Sequence, residues 1–219
     1  MNMKVIVTGA TGMVGEGVLI ECLDNNQIES VLYVGRKASG QSHPKLTEYL
    51  VPDFLSLKSD DTKLSGYDAC FFCAGISSVG MDEAQYTQIT YDTTLHFAKV
   101  VLNQNSDLTF NFISGSHTDS SENGKVMWAR VKGKTENALQ ALSFSRQYNF
   151  RPGLMKPDKT QIHLKGFNKY ITLLYPIFGL FYTGCTTREI GRAMIFVAQS
   201  GYPKKILEAV DIKKAASQK

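Results

Sequence analysis

Gly9, Gly12 and Gly15 stand three residues apart in the run VTGATGMVG. The chemistry that this spacing serves is phosphate binding. A helix N-terminus offers unpaired N–H groups and a partial positive charge. A pyrophosphate reaches them only where the turn lacks side chains. Gly9 permits the tight turn, Gly12 lets the backbone approach the phosphates, and Gly15 lets helix and strand pack closely. Thr11, Met13 and Val14 complete the candidate loop. Downstream, Tyr33-Val34-Gly35-Arg36-Lys37 ends the next β-branched run with two cations. An NAD-binding protein usually carries a carboxylate there, to accept from the ribose 2′-hydroxyl. Arg36 and Lys37 suit a 2′-phosphate instead, so NADP is expected over NAD.

Other chemistries are excluded by spacing. Cys70 and Cys73 form a C-x-x-C, but within the apolar run ACFFCAG, where a strand points them to opposite faces. A redox pair sits instead at a helix N-terminus. Cys22, Cys70, Cys73 and Cys185 therefore read as reduced, mostly buried thiols of a cytoplasmic protein. His43, His96, His117 and His163 are scattered, without the spacing of a metal site.

The positioning elements follow from the hydrophobic pattern. Residues 3–8 suit a strand buried on both faces, followed by the glycine turn, a helix ending near Asp24 and a strand over 30–34. Further strands are expected at 45–51, 68–74, 108–114 and 145–151, with helices over 82–103, 124–143 and 186–200. The last helix is opened by Thr186 and Thr187 with Glu189 as capping residues. This alternation implies a doubly wound parallel sheet with helices on both faces. At 219 residues, with 43% hydrophobic and 20% charged residues, the chain is a globular protein and not a disordered one. No apolar stretch is long enough to cross a membrane, and no signal peptide is evident.

The net charge of +4 is unevenly spread: residues 1–150 carry 12 basic and 16 acidic side chains, residues 151–219 carry 12 and 4. The basic third holds Lys156, Lys159, Lys165 and Lys169 around the apolar segment YITLLYPIFGLFY, 170–182. Its aromatics fit an apolar pocket or an oligomer interface, and its cations an anionic substrate.

The glycine spacing is G-x-x-G-x-x-G, and the opening T-G-A-T-G-x-x-G resembles the short-chain dehydrogenase/reductase superfamily in its extended and atypical branches. Elements in the family's order support the resemblance: Asp53-Phe54 after the third strand, Cys73-Ala74-Gly75 after the fourth, serines at the end of the fifth, Lys132 on a helix, and Arg151-Pro152-Gly153 after the sixth. More narrowly, VKGKTENAL followed by FRPGLM is similar to the small Tat-interacting-protein-like oxidoreductases and to bacterial relatives labelled nucleoside-diphosphate-sugar epimerases.

The resemblance implies a Rossmann-type fold: residues 1–219 as one NAD(P)-binding domain, with 154–219 contributing a C-terminal cap. It implies that Asp53 accepts from the adenine amino group, that Ala74 and Gly75 pass close to the adenosine ribose, and that Lys132 holds the nicotinamide ribose. The family's Ser-Tyr-Lys relay places its tyrosine four residues before the lysine. That position is Trp128, the single tryptophan of the chain. An indole N–H donates but does not titrate. Ser114 and Ser116 bracket the serine position, with Ser116 preferred, and His117 is a substitute proton donor. The expected activity is that of an atypical NADP-dependent oxidoreductase, epimerase-like in its fold. The competing reading is a non-catalytic NADP sensor or scaffold. Expected partners are a small-molecule substrate, apolar or anionic, and a second copy of the chain, with no nucleic acid.

Overall fold

A computed structural model of the protein describes residues 2–164 and 184–218. The segment 170–182 lies outside the described residues. Strand β1 (Met3–Thr8) leads through the glycine turn into helix α1 (Met13–Asp24), then β2 (Ile28–Gly35), β3 (Leu46–Leu50) and β4 (Ala69–Phe72). Helix α2 (Glu83–Thr87) runs through a π-helical turn, Gln88–Asp92, into α3 (Thr93–Gln104). β5 (Thr109–Ile113), α4 (Met127–Gln140), β6 (Arg146–Arg151) and β7 (Leu154–Lys156) follow. β8 (Gly184–Thr186), α5 (Thr187–Ser200), β9 (Ile206–Glu208) and α6 (Ala209–Ala216) complete the described chain.

Seven strands form one sheet in the order β3-β2-β1-β4-β5-β6-β9, and every pairing is parallel. This is a Rossmann-type doubly wound sheet. Its order reverses between β1 and β4, and ligands of such sheets bind at the strands' carboxyl ends beside that reversal. β7 and β8 pair in a separate two-stranded sheet. Among the described residues no helix is long and apolar enough to cross a membrane.

Strand alternation builds two core layers. Val5, Val7 and Phe71 pack with Val18, Leu19, Ile190 and Met194 of α1 and α5. Ile6, Cys70 and Phe72 face the other way, onto Phe97 and Val101 of α3 and Leu139 of α4. The helix expected over 82–103 is interrupted by the π turn, where the Thr93 hydroxyl donates to Gln88 O five residues back, at 3.1 Å. α5 starts with the expected capping box: Thr186 Oγ1 accepts from Glu189 N, and Glu189 accepts from Thr186 N. All four cysteines are free thiols.

Candidate dinucleotide and catalytic site

The ends of β1 and β4 meet at the reversal point. Thr8 Oγ1 accepts from both Cys73 N and Ala74 N at 3.1 Å, which sets the Cys73-Ala74-Gly75 backbone against the glycine turn. Gly12 N donates to Gly9 O at 2.9 Å and closes the turn. Gly9 lies at φ +73°, and a Cβ there would stand 2.5 Å from Cys73 O. A Cβ on Gly15 would stand 2.2 Å from Gly9 O. The protein's own backbone requires both glycines.

Gly12 is different. It caps α1 with extended backbone, φ −111° and ψ 159°, that any residue adopts. A Cβ would meet nothing nearer than Gly9 O at 3.4 Å. Gly75, across the reversal, would present its Cβ to open space. No protein atom requires glycine at either position; Gly12 caps α1, and Gly75 follows the Cys73-Ala74 backbone that Thr8 ties to the end of β1. Being glycine, the cap offers no side-chain acceptor to the first N–H groups of α1.

The flanking candidates divide by placement. Thr11 is exposed, Met13 half-buried, and Val14 packs on the core. Tyr33 is buried at the end of β2, donates its hydroxyl to Lys37 O at 2.9 Å and hydrogen-bonds the Thr11 side chain. Burial pushes its phenol up. Tyr33 thereby couples the glycine turn to the loop carrying Arg36 and Lys37. Both cations are exposed, and neither forms an ion pair among the described residues. The exposed Asp53 caps the 3-10 turn 54–56 with its carboxylate, accepting from Leu55 N at 2.9 Å. The Phe54 ring belongs to the core, against Phe97 and Phe72, so its main chain alone is left for a ligand.

The catalytic candidates gather at the end of β5. Thr118 Oγ1 donates to Gly115 O at 2.8 Å, so the buried Ser114 hydroxyl must donate to Thr118 Oγ1, 3.0 Å away. Ser114 is thus spent on its own loop, while Ser116 is half-buried beyond it. His117 is exposed and held at φ +66°, one of two non-glycine residues with positive φ among those described. The half-buried Trp128 lies beside this loop, its Cζ3 3.6 Å from the position of a Cβ on Gly115.

One turn further along α4, Lys132 Nζ is 3.4 Å from Ile113 O and 5.7 Å from the Phe112 ring centroid. Burial pushes this ammonium down to about 8, against the opposing pull of Glu136. After reductive ¹³C-methylation, Lys132 is expected to titrate near pH 8 by NMR in the cofactor-free protein. A value above 10 would place Nζ in water. With the folded value below the ordinary 10.5, the unfolded chain holds the extra proton between the two. This lysine's contribution to stability therefore rises with pH across that window.

α4 itself is anchored from behind. Arg151 donates to Glu136 from Nε at 2.9 Å and from Nη2 at 2.5 Å, and to Ser120 Oγ at 2.7 Å. Gly133 admits the loop at Asp119, whose carbonyl oxygen would lie 1.8 Å from a Cβ. Arg151, singled out as part of a strand-end motif, is therefore the clamp that holds α4.

Several residues at the site carried no sequence signal. Thr8 and Tyr33 read as ordinary strand positions. Glu16 is brought to Gln161 and His163, 145 and 147 residues away in the chain, and Gly17 leaves the space that the Thr187 side chain fills, 2.3 Å from a would-be Cβ.

No protein-family model matches the chain. Its sequence is similar to "Protein HTATIP2" of Rattus norvegicus, 26% identical over 163 residues, covering 73% of this chain and 66% of that protein. It is also similar to "Protein fmp52, mitochondrial" of Emericella nidulans, 28% identical over 165 residues, covering 72% and 69%. The match thus spans about two thirds of these relatives' length. Among solved structures, the fold is shared with the Bordetella bronchiseptica enzyme WbmF in complex with NAD+ (TM-score 0.63, 16% identity, 99% of this chain and 77% of that one). It is shared too with a short chain dehydrogenase family protein from Francisella tularensis (TM-score 0.56, 16% identity, 99% and 88%). The cytoplasmic location expected from the sequence does not stand, because the fungal relative is named mitochondrial. Reduced thiols report a redox state and not an address.

Proposed function

We propose that the chain groups with the HTATIP2 and Fmp52 proteins it is similar to, within the short-chain dehydrogenase/reductase superfamily, and that it binds NADP(H) and acts as an atypical oxidoreductase on a small carbonyl or hydroxyl substrate. The observation that carries the cofactor is Gly12, a glycine at a helix N-terminus whose missing side chain serves no protein atom. Gly75 repeats the argument across the reversal point.

Bound there, the dinucleotide would supply the hydride. The chain's own residues would do the rest. The first turn of α1 would hold the pyrophosphate, Arg36 and Lys37 would meet the 2′-phosphate, and the Cys73-Ala74-Gly75 backbone would pass close to the adenosine ribose. Lys132 donates to the nicotinamide ribose. Ser116, whose hydroxyl is not committed to the loop as that of Ser114 is, orients the substrate oxygen. Trp128 contributes an indole N–H and no transferable proton. The proton for a developing alkoxide falls to His117, which lies in the same loop, or to water.

Trp128 also favours the second reading, a protein that binds NADP(H) without turnover and signals its redox state to a partner. NADPH oxidation with a panel of aldehydes and diketones separates the two. Turnover abolished by His117→Ala supports the enzyme, and tight NADPH binding with no turnover in any variant supports the sensor.

Arg36→Ala is expected to weaken NADP binding by about 1.5–3 kcal/mol, since charge-assisted hydrogen bonds are the strong ones. That is roughly ten- to a hundredfold in Kd, with NAD nearly unaffected. Calorimetry with both dinucleotides checks it. Equal wild-type affinity for NAD and NADP would dismiss the 2′-phosphate assignment.

A further inference from the structure

Glu16 is a fully buried carboxylate in the first turn of α1, and the site described above gives it no role. Its Oε1 accepts from Ile162 N at 2.6 Å and its Oε2 from His163 N at 3.0 Å. The chain just before these residues is bound as closely. Gln161 Nε2 donates to Met13 O in the glycine turn at 2.6 Å, and its Oε1 accepts from Thr187 Oγ1 at the start of α5 and from Asp158 N, each at 2.7 Å. Its far end is bound too: His163 Nε2 stands 2.6 Å from Ser39 O, and must carry the proton because its partner is a carbonyl.

Ser39 is an unusual loop residue, fully buried three positions after Arg36. Its N–H and hydroxyl both donate to Glu48 Oε1, at 2.8 and 2.5 Å. With Tyr33 on Lys37 O and His163 on Ser39 O, the main chain on the C-terminal side of Arg36 is pinned at two points. One short segment, 157–163, therefore touches the turn that faces the pyrophosphate through Gln161 and the loop that faces the 2′-phosphate through His163. Glu16 is its seat.

We propose that residues 157–163, seated on Glu16, act as a strap that fixes the spacing between the pyrophosphate turn and the Arg36 loop, so that His163 is a positioning residue for recognition of the 2′-phosphate. The proposal rests on the NADP reading above. His163 touches no part of the expected ligand. It acts by holding Ser39, and through it the backbone that aims the Arg36 guanidinium.

The experiment is a double-mutant cycle between His163 and Arg36, read as Kd for NADP and NAD with thermal midpoints alongside. His163→Ala removes one part-buried hydrogen bond, so NADP affinity should fall roughly three- to tenfold while NAD affinity stays unchanged. His163→Gln, which keeps an N–H at the end of the side chain, should recover much of the loss. In an Arg36→Ala background the effect of His163→Ala should vanish, because no guanidinium is left to aim. Equal losses for NADP and NAD, or a loss that persists undiminished without Arg36, would overturn the strap. Arg36→Ala leaving NADP affinity intact would instead strike the 2′-phosphate reading, and the strap with it.

Discussion

Gly12→Val is expected to fold as the parent does and to lose NADPH binding by about 3 kcal/mol or more, roughly a hundredfold. The contrast among the three glycines makes this sharp. Valine at Gly9 or Gly15 would drive a Cβ to 2.5 or 2.2 Å from backbone oxygens, and Gly9 also needs a positive φ. Those variants should unfold or distort the turn, so lost binding in them says nothing about a ligand. At Gly12 the backbone is already extended and the nearest obstruction is 3.4 Å away. The added side chain enters only the space in front of the helix, where the phosphates must come. Fluorescence titration with NADPH and a thermal melt on the same samples test both halves. An unchanged Kd would remove the dinucleotide from this turn, whatever the fold.

Trp128→Tyr is expected to raise carbonyl reduction by up to about 10²-fold, the lower end of what general acid catalysis supplies. The new phenol would stand one helical turn from Lys132, whose charge favours phenolate and lowers the phenol's pKa. Lys132 itself is already pushed down to about 8 by burial. Tyrosine is smaller than the indole, and Trp128 packs beside the Gly115 backbone. The thermal midpoint is therefore measured with the turnover, because a cavity there would loosen the loop that carries Ser116. A gain marks a site intact except for its donor. No gain in a stably folded variant that still binds NADPH would mean that no substrate is held in reach, and would favour the sensor.

The glycine turn and the alternation of β-branched runs with helical patterns were enough to place β1 to β6 and the helices between them. The central strands β1, β2 and β4 are rich in apolar residues. β7, β8 and β9 were not legible, since each is three residues long and is specified by its partner strand instead of its own pattern. The π turn was equally hidden, because Gln88–Asp92 reads as ordinary helix until the Thr93 hydroxyl finds its carbonyl. The site divides the same way. Local features such as Gly9, Gly15 and the helix they open carry their reasons in adjacent residues. Glu16 does not: its donors lie some 146 residues away, and a carboxylate in a first helical turn reads as nothing more than a dipole partner. Arg151 was noticed for its place in a motif, whereas its work is done on Glu136 of another element.

The seventh strand has a consequence in time. β9 pairs with β6, where Asn149 N donates to Lys205 O at 2.8 Å, yet it begins 55 residues after β6 ends. At a synthesis rate of about 5–20 residues per second, the far edge of β6 waits roughly 3–11 s for its partner to leave the ribosome. Throughout that interval a nascent sheet of six strands ends on an unpaired ladder, the kind of edge that recruits other chains.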